Sequence, residues 1–202
     1  LNVSAEKENM PLPSHIHISN DGKTVIIVPS GSSFLTKAIF YDETGNESKV
    51  VDGLFGPGGC HDMSADGEIF SVISRKSPED TLSIAVASYN NRGVQLWIKE
   101  VPGIWPFTNP SIAISPNHKY LAVSLMGNHW WREAFTTLLD LKGNIITTIN
   151  CNVYNPVFSS DDKYLALASD TDTLYFLRTD DGTILWQKWI ADLSESCSIS
   201  NE

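Results

Sequence analysis

The chain has 202 residues, of which 42% are hydrophobic and 19% charged, and its formal net charge is −10. This length and apolar content suffice for one well-packed domain and exclude a disordered chain. The acidic charge argues against a nucleic-acid partner, which requires clustered Lys and Arg, and the lack of an apolar run of about 18 residues argues against membrane insertion.

Residues 1–13 are polar and contain Pro, which is typical of a tail. After them, one pattern occurs four times: an apolar residue, a Ser, and two or three turn-forming residues. The spacing between the anchoring Ser residues is 44 to 51 residues, and they are Ser19, Ser64, Ser115 and Ser159. Such turns reverse the chain at low cost, and the apolar run after each one indicates a strand covered on both faces.

A second turn follows in each unit and contains a Gly, at positions 45, 93, 143 and 182. Each of these turns separates two strand-like runs, so every unit is predicted to hold four short antiparallel strands. This is the pattern of a β-propeller blade, and the predicted fold is an all-β propeller over residues 14–202. The four predicted blades span about residues 14–56, 58–101, 109–151 and 154–191.

Residues 195–202 repeat the beginning of a blade and are interpreted as a partial fifth repeat. Their Ile-Ser-Asn-acidic ending matches the stretch that begins blade one. Two interpretations remain open: a fragment of a propeller with more blades, or a closed ring of four blades.

Trp97 and Trp186 each lie four residues after the turn Gly of their blade, as in the tryptophan-docking repeats of PQQ-like (quinoprotein) propellers. The Ser-x-Asp-Gly-Lys type of hairpin resembles WD40-like repeats. The chain therefore resembles PQQ-like and WD40-like propeller proteins from Ser14 to Ile190. It departs from the quinone-binding members at Lys49 and Thr147, which replace the Trp, and it lacks their calcium ligands and vicinal cysteine pair. The resemblance implies the fold and no cofactor.

The segment Gly127–Glu133, between the second and third strands of blade three, contains Trp130, Trp131 and Arg132. Two adjacent Trp residues cannot both point into one sheet face, and Trp and Arg are common in binding hot spots. Together with Trp105, which lies on a connection between blades, they form a candidate interaction surface. The alternative is that these Trp residues pack on the core of their own or the next blade.

The first strand of each blade is expected to lie nearest the propeller axis, where His17, His61 and Asp62 are candidate channel-lining residues. The alternative is that they are ordinary polar residues around a wet channel. The three cysteines have no metal or redox spacing, and the Asp clusters lie where turns require Asp. The sequence contains no nucleophile elbow, phosphate-binding loop or zinc-protease motif, so no metal or catalytic residue is nominated.

These observations favour a non-catalytic binding or scaffold domain whose partner is another protein or peptide. Two alternatives stay open: part of a larger propeller enzyme or cofactor protein, and a carbohydrate-binding propeller with a Trp stacking platform. The sequence indicates neither the cellular compartment nor the oligomeric state.

Overall fold

The computed structural model describes residues 13–29, 35–55, 60–75, 84–102, 108–126, 134–151, 153–191 and 198–199. Sixteen β-strands lie in this part of the chain. Their bounds are β1 Pro13–Ile18, β2 Val25–Pro29, β3 Leu35–Tyr41, β4 Glu47–Phe55, β5 His61–Met63, β6 Ile69–Arg75, β7 Ile84–Asn90, β8 Gln95–Val101, β9 Thr108–Ile114, β10 Tyr120–Met126, β11 Ala134–Asp140, β12 Ile145–Ile149, β13 Val153–Phe158, β14 Tyr164–Ser169, β15 Thr173–Arg178 and β16 Ile184–Trp189.

The strands form four sheets, and each sheet contains four consecutive strands in antiparallel order. We call them blades one to four, from β1–β4 to β13–β16. The inner strands β5, β9 and β13 contact one another from blade to blade, which places the first strand of each sheet toward a common axis. Of the partial fifth repeat, Ser198 and Ile199 are described and lie outside any strand.

The anchoring Ser holds each first turn by short-range hydrogen bonds. The Ser19 hydroxyl donates to the Asp21 carboxylate (2.7 Å) and accepts from the Thr24 amide (3.0 Å). The same pair of bonds recurs at Ser64 and at Ser159. The Asp residues of these turns therefore hold the turn itself, as such side chains commonly do.

The blades pack face to face through alternating residues of their strands. We call the side toward the next blade the forward face and the opposite side the back face. Between blades one and two, Ile26, Val28 and Phe40 of the forward face pack against Phe70 and Val72 of the back face. The next two junctions repeat this arrangement, with Ile73 and Val86 against Leu121 and Val123, and then Ala122 and Leu138 against Leu165 and Leu167.

A second contact joins the outer parts of neighbouring blades at the Gly turns. The residue four positions after each turn Gly, here called the docking position, packs on the turn Gly of the following blade: Trp97 lies on Gly143, where an added Cβ would come within 3.0 Å of the indole. The Trp97 indole N–H also donates to the Leu141 carbonyl (2.7 Å). Lys49 occupies Gly93 in the same way, and Thr147 occupies Gly182.

Candidate functional site: the axial strands and one end of blade three

His17 and His61 meet at the junction of blades one and two. His17 is opposite Ile26 in blade one and so points to the forward face, whereas His61 is opposite Val72 in blade two and points to the back face. The two rings therefore face each other, with His17 Nε2 2.7 Å from His61 Nδ1. At this distance one imidazole donates a hydrogen bond and the other accepts it.

Aromatic rings surround the histidine pair. The His15 ring lies 4.9 Å from the His61 ring, and the Phe70 ring lies 5.8 Å from it on the other side. His61 is only 8% exposed, and its Nε2 atom has no hydrogen-bond partner within the described part of the chain. The site is thus an apolar pocket that contains one polar contact between two blades.

Burial keeps this pair neutral at physiological pH. It lowers the pKa of His61 to about 3, and the neighbouring His17 and His15 charges act in the same direction. The pKa of His17 is also lowered, by burial first and by His15 second. A neutral imidazole can both donate and accept, so the neutral state is the one that preserves the bond between the blades.

Asp62 points away from the histidines and serves the next junction. One of its carboxylate oxygens accepts from the Ile114 amide of β9 (2.8 Å), and the other accepts from the Met63 amide (2.8 Å). Burial raises the pKa of Asp62, although both hydrogen bonds oppose this shift. At the third junction the Ser111 hydroxyl donates to the Val153 carbonyl (2.9 Å). Each of the three blade junctions thus contains one polar contact on the axial strands.

The sequence named His17, His61 and Asp62 as axial residues but did not predict which of them meet. His17 lies two residues before its anchoring Ser and His61 lies three residues before its own, so they point to opposite faces of equivalent strands. This alternation is the signal that brings His17 and His61 together and separates Asp62 from both. The adjacent Phe70 was also missed.

Two thiols and the metal-ligating residue types complete the chemical inventory. Burial raises the pKa of Cys60 to about 12 and that of Cys151 to about 11, which suppresses the reactive thiolate. No three or more His, Cys, Asp or Glu side chains of the described ranges are grouped so as to hold a metal ion. Nor does any helix within those ranges have the length and apolar character needed to cross a bilayer.

The candidate interaction residues Trp105, Trp130, Trp131 and Arg132 lie outside the described residues. The strand ends next to them are described. Thr108 begins β9, Met126 ends β10 and Ala134 begins β11; Met126 is paired with Thr108 on one side and with Ala134 on the other. The two Trp-containing segments therefore join neighbouring strand ends of one sheet.

Comparisons with known proteins identify a fold and no family. No family model and no curated protein matches the chain. A chain in a crystal structure of the mitotic checkpoint complex, a WD40 propeller, is similar at a TM-score of 0.63 and 14% sequence identity. The match covers 92% of this chain and 55% of that chain, so the present chain spans about half the length of the solved one.

At this level of identity the similarity shows architecture alone. The predicted fold class is confirmed: the chain is an all-β propeller of four-stranded antiparallel blades. Of the two resemblances seen in the sequence, the comparison supports the WD40-like one and gives no specific support to the quinoproteins. The chain is thus WD40-like in fold.

Proposed function

We propose that this propeller is a non-catalytic scaffold domain that binds another protein or peptide, and that Trp105, Trp130, Trp131 and Arg132 form its contact surface. The observation that carries the proposal is the adjacency of Thr108, Met126 and Ala134 in blade three. Because both Trp-containing segments join these neighbouring strand ends, three Trp and one Arg are available at one end of one blade. Clusters of this composition are typical of binding hot spots.

The rest of the structure supports a scaffold. Side chains lock each blade to the next at two radii, through the axial polar contacts and through the docking positions on the turn glycines. A rigid frame that presents variable loops is the usual basis of binding by such domains. The similar solved propeller comes from the structure of a complex, which is in keeping with a partner for this chain.

The test compares two variants that both remove Trp side chains. In the first, Trp130→Ala and Trp131→Ala are combined; in the control, Trp189→Ala removes a Trp that is 66% exposed on the outer strand of blade four. A partner is first captured with the wild-type chain and identified by mass spectrometry, and its dissociation constant is then measured by calorimetry. We expect the double variant to weaken binding by about 30-fold or more and the control to bind normally.

Thermal unfolding of the same variants separates surface from core. We expect the double variant to unfold at nearly the wild-type temperature. A large loss of stability would mean that the two Trp residues pack in the core, and the proposed surface would be wrong. Quenching of Trp fluorescence by oligosaccharides, with no protein partner, would instead favour a carbohydrate-binding propeller.

A further inference from the structure

The forward face of blade four has the composition of a covered face but nothing covers it. The residue paired with the seventh position after the anchoring Ser is Phe40 in blade one, Ser88 in blade two and Leu138 in blade three, and all three are at most 1% exposed. In blade four the same position is Phe176, which is only partly buried. Its three counterparts are covered by a following blade.

Phe176 belongs to a stack of aromatic rings on this face. The Tyr164 and Trp186 rings lie on either side of it, each at a centroid distance of 5.1 Å, and they are nearly parallel to it at 21° and 18°. Trp186 is 46% exposed. An exposed aromatic surface of this kind is a common mark of a protein contact.

The back face of blade one is uncovered as well. Ile16 and Ile18 on β1 are 56% and 63% exposed. Val25 on β2 is partly buried, whereas its counterparts in the other blades are at most 1% exposed. These counterparts are Phe70, Leu121 and Leu165. The chain therefore ends in one open forward face and one open back face, which are the two kinds of face that pack together at its three internal junctions.

The docking positions are open at the same two ends. Gly93, Gly143 and Gly182 each contact the docking residue of the preceding blade, but an added Cβ at Gly45 would meet nothing within 4 Å. Trp186 is the docking residue of blade four, and no described turn Gly lies against it. One end of the chain thus presents an unused Trp and the other an unused Gly, with the residue type and spacing of the pair formed by Trp97 and Gly143.

We propose that two copies of this chain associate head to tail, with the forward face of blade four of each copy on the back face of blade one of the other. Trp186 then docks on Gly45 of the second copy, and its indole N–H donates to the carbonyl of Glu43, as Trp97 does to Leu141, two residues before its Gly. The four blades match 55% of a solved propeller chain, about half a ring. Two copies give eight blades, which lies within the usual range of about 4 to 8. Such a heterologous contact closes into a ring when the rotation per copy is correct.

Sedimentation equilibrium of the 202-residue chain at micromolar concentration tests this directly. We expect a species of twice the 22.3 kDa chain mass. Trp186→Asp at one end, or Ile18→Asp at the other, should raise the dissociation constant by about 30-fold or more, because each puts a charge into the apolar contact. The matched control is Leu96→Asp on β8, whose side chain is also 46% exposed but lies on neither end face; it should assemble as the wild type does.

Mixing the two monomeric variants distinguishes a head-to-tail contact from a symmetric one. In a mixed pair, both substitutions meet at one contact while the other contact retains two unaltered faces. The mixture of Trp186→Asp and Ile18→Asp should therefore recover association that neither variant shows alone. Recovery also demonstrates that both variants are folded.

Three results would overturn the proposal. A wild-type chain that sediments as a monomer at all concentrations would show that the end faces do not bind a second copy. A dimer that the Ile18→Asp variant leaves intact would place the contact elsewhere, and so would a dimer disrupted equally by Leu96→Asp. Failure to recover association on mixing would mean a symmetric contact through a single face.

Discussion

Trp97 and Trp186 hold the same position in two blades, four residues after the turn Gly, yet their surroundings differ. Trp97 packs on Gly143 and donates a hydrogen bond to Leu141, whereas Trp186 is 46% exposed and stacks only on its own blade. Phe40 and Phe176 differ in the same way. The comparison teaches that a repeated residue contributes to stability only where another blade covers it, and that its uncovered copy is a surface open to binding.

Truncation of the two equivalent Phe residues should give the largest contrast. Phe40 is fully buried and contacts Phe70 edge to face at 5.7 Å. We expect Phe40→Ala to lower the free energy of unfolding by about 3–5 kcal/mol, and Phe176→Ala to lower it by about 1 kcal/mol, since less surface is withdrawn from water. Urea unfolding of both variants measures this, in an Ile18→Asp background that prevents self-association. Equal losses would show that the face of blade four is covered.

Removal of the two docking Trp residues should give a smaller contrast. Trp97→Ala loses both the packing on Gly143 and the hydrogen bond to Leu141, and we expect a loss of about 2–3 kcal/mol. Trp186→Ala in the same Ile18→Asp background should cost less than about 1 kcal/mol. Differential scanning calorimetry can compare the two. If Trp97→Ala were as mild as Trp186→Ala, the docking contact would not be a source of stability.

The histidine pair predicts a smaller, pH-dependent contribution at the junction of blades one and two. Since burial lowers the pKa of His61 from 6.5 to about 3, the unfolded chain takes up a proton below pH 6.5 that the folded chain does not. Stability therefore falls as the pH drops from 6.5 toward 3, by about 1.4 kcal/mol per pH unit, or about 2 kcal/mol at pH 5. His17 acts in the same direction, and the raised pKa of Asp62 acts in the opposite one.

Two measurements check this prediction. NMR titration of the ring protons should show that His61 remains neutral down to pH 4, and His61→Asn should flatten the dependence of stability on pH between 6.5 and 4. A His61 ring that titrates near pH 6.5 would contradict it. In that case the junction between blades one and two would be open to water, unlike the other two.

The sequence by itself determined the local structure, because each of its signals acts over a few residues. A Ser hydroxyl and an Asp carboxylate close the first turn of each blade, and a Gly with positive φ closes the second. The apolar runs between them specify strands, so the all-β blade pattern and the axial place of His17, His61 and Asp62 could be predicted. The contact between His17 and His61 could not, because it joins residues 44 positions apart.

Only the tertiary structure decided which copies of the repeat are covered. Trp97 and Trp186 occupy equivalent positions in their blades, and no property of the local sequence shows that one has a docking Gly and the other does not. The difference depends on which blade lies next to each sheet, and hence on contacts between residues far apart in the chain. Burial, the shifted pKa of His61 and the open faces of blades one and four all follow from that arrangement.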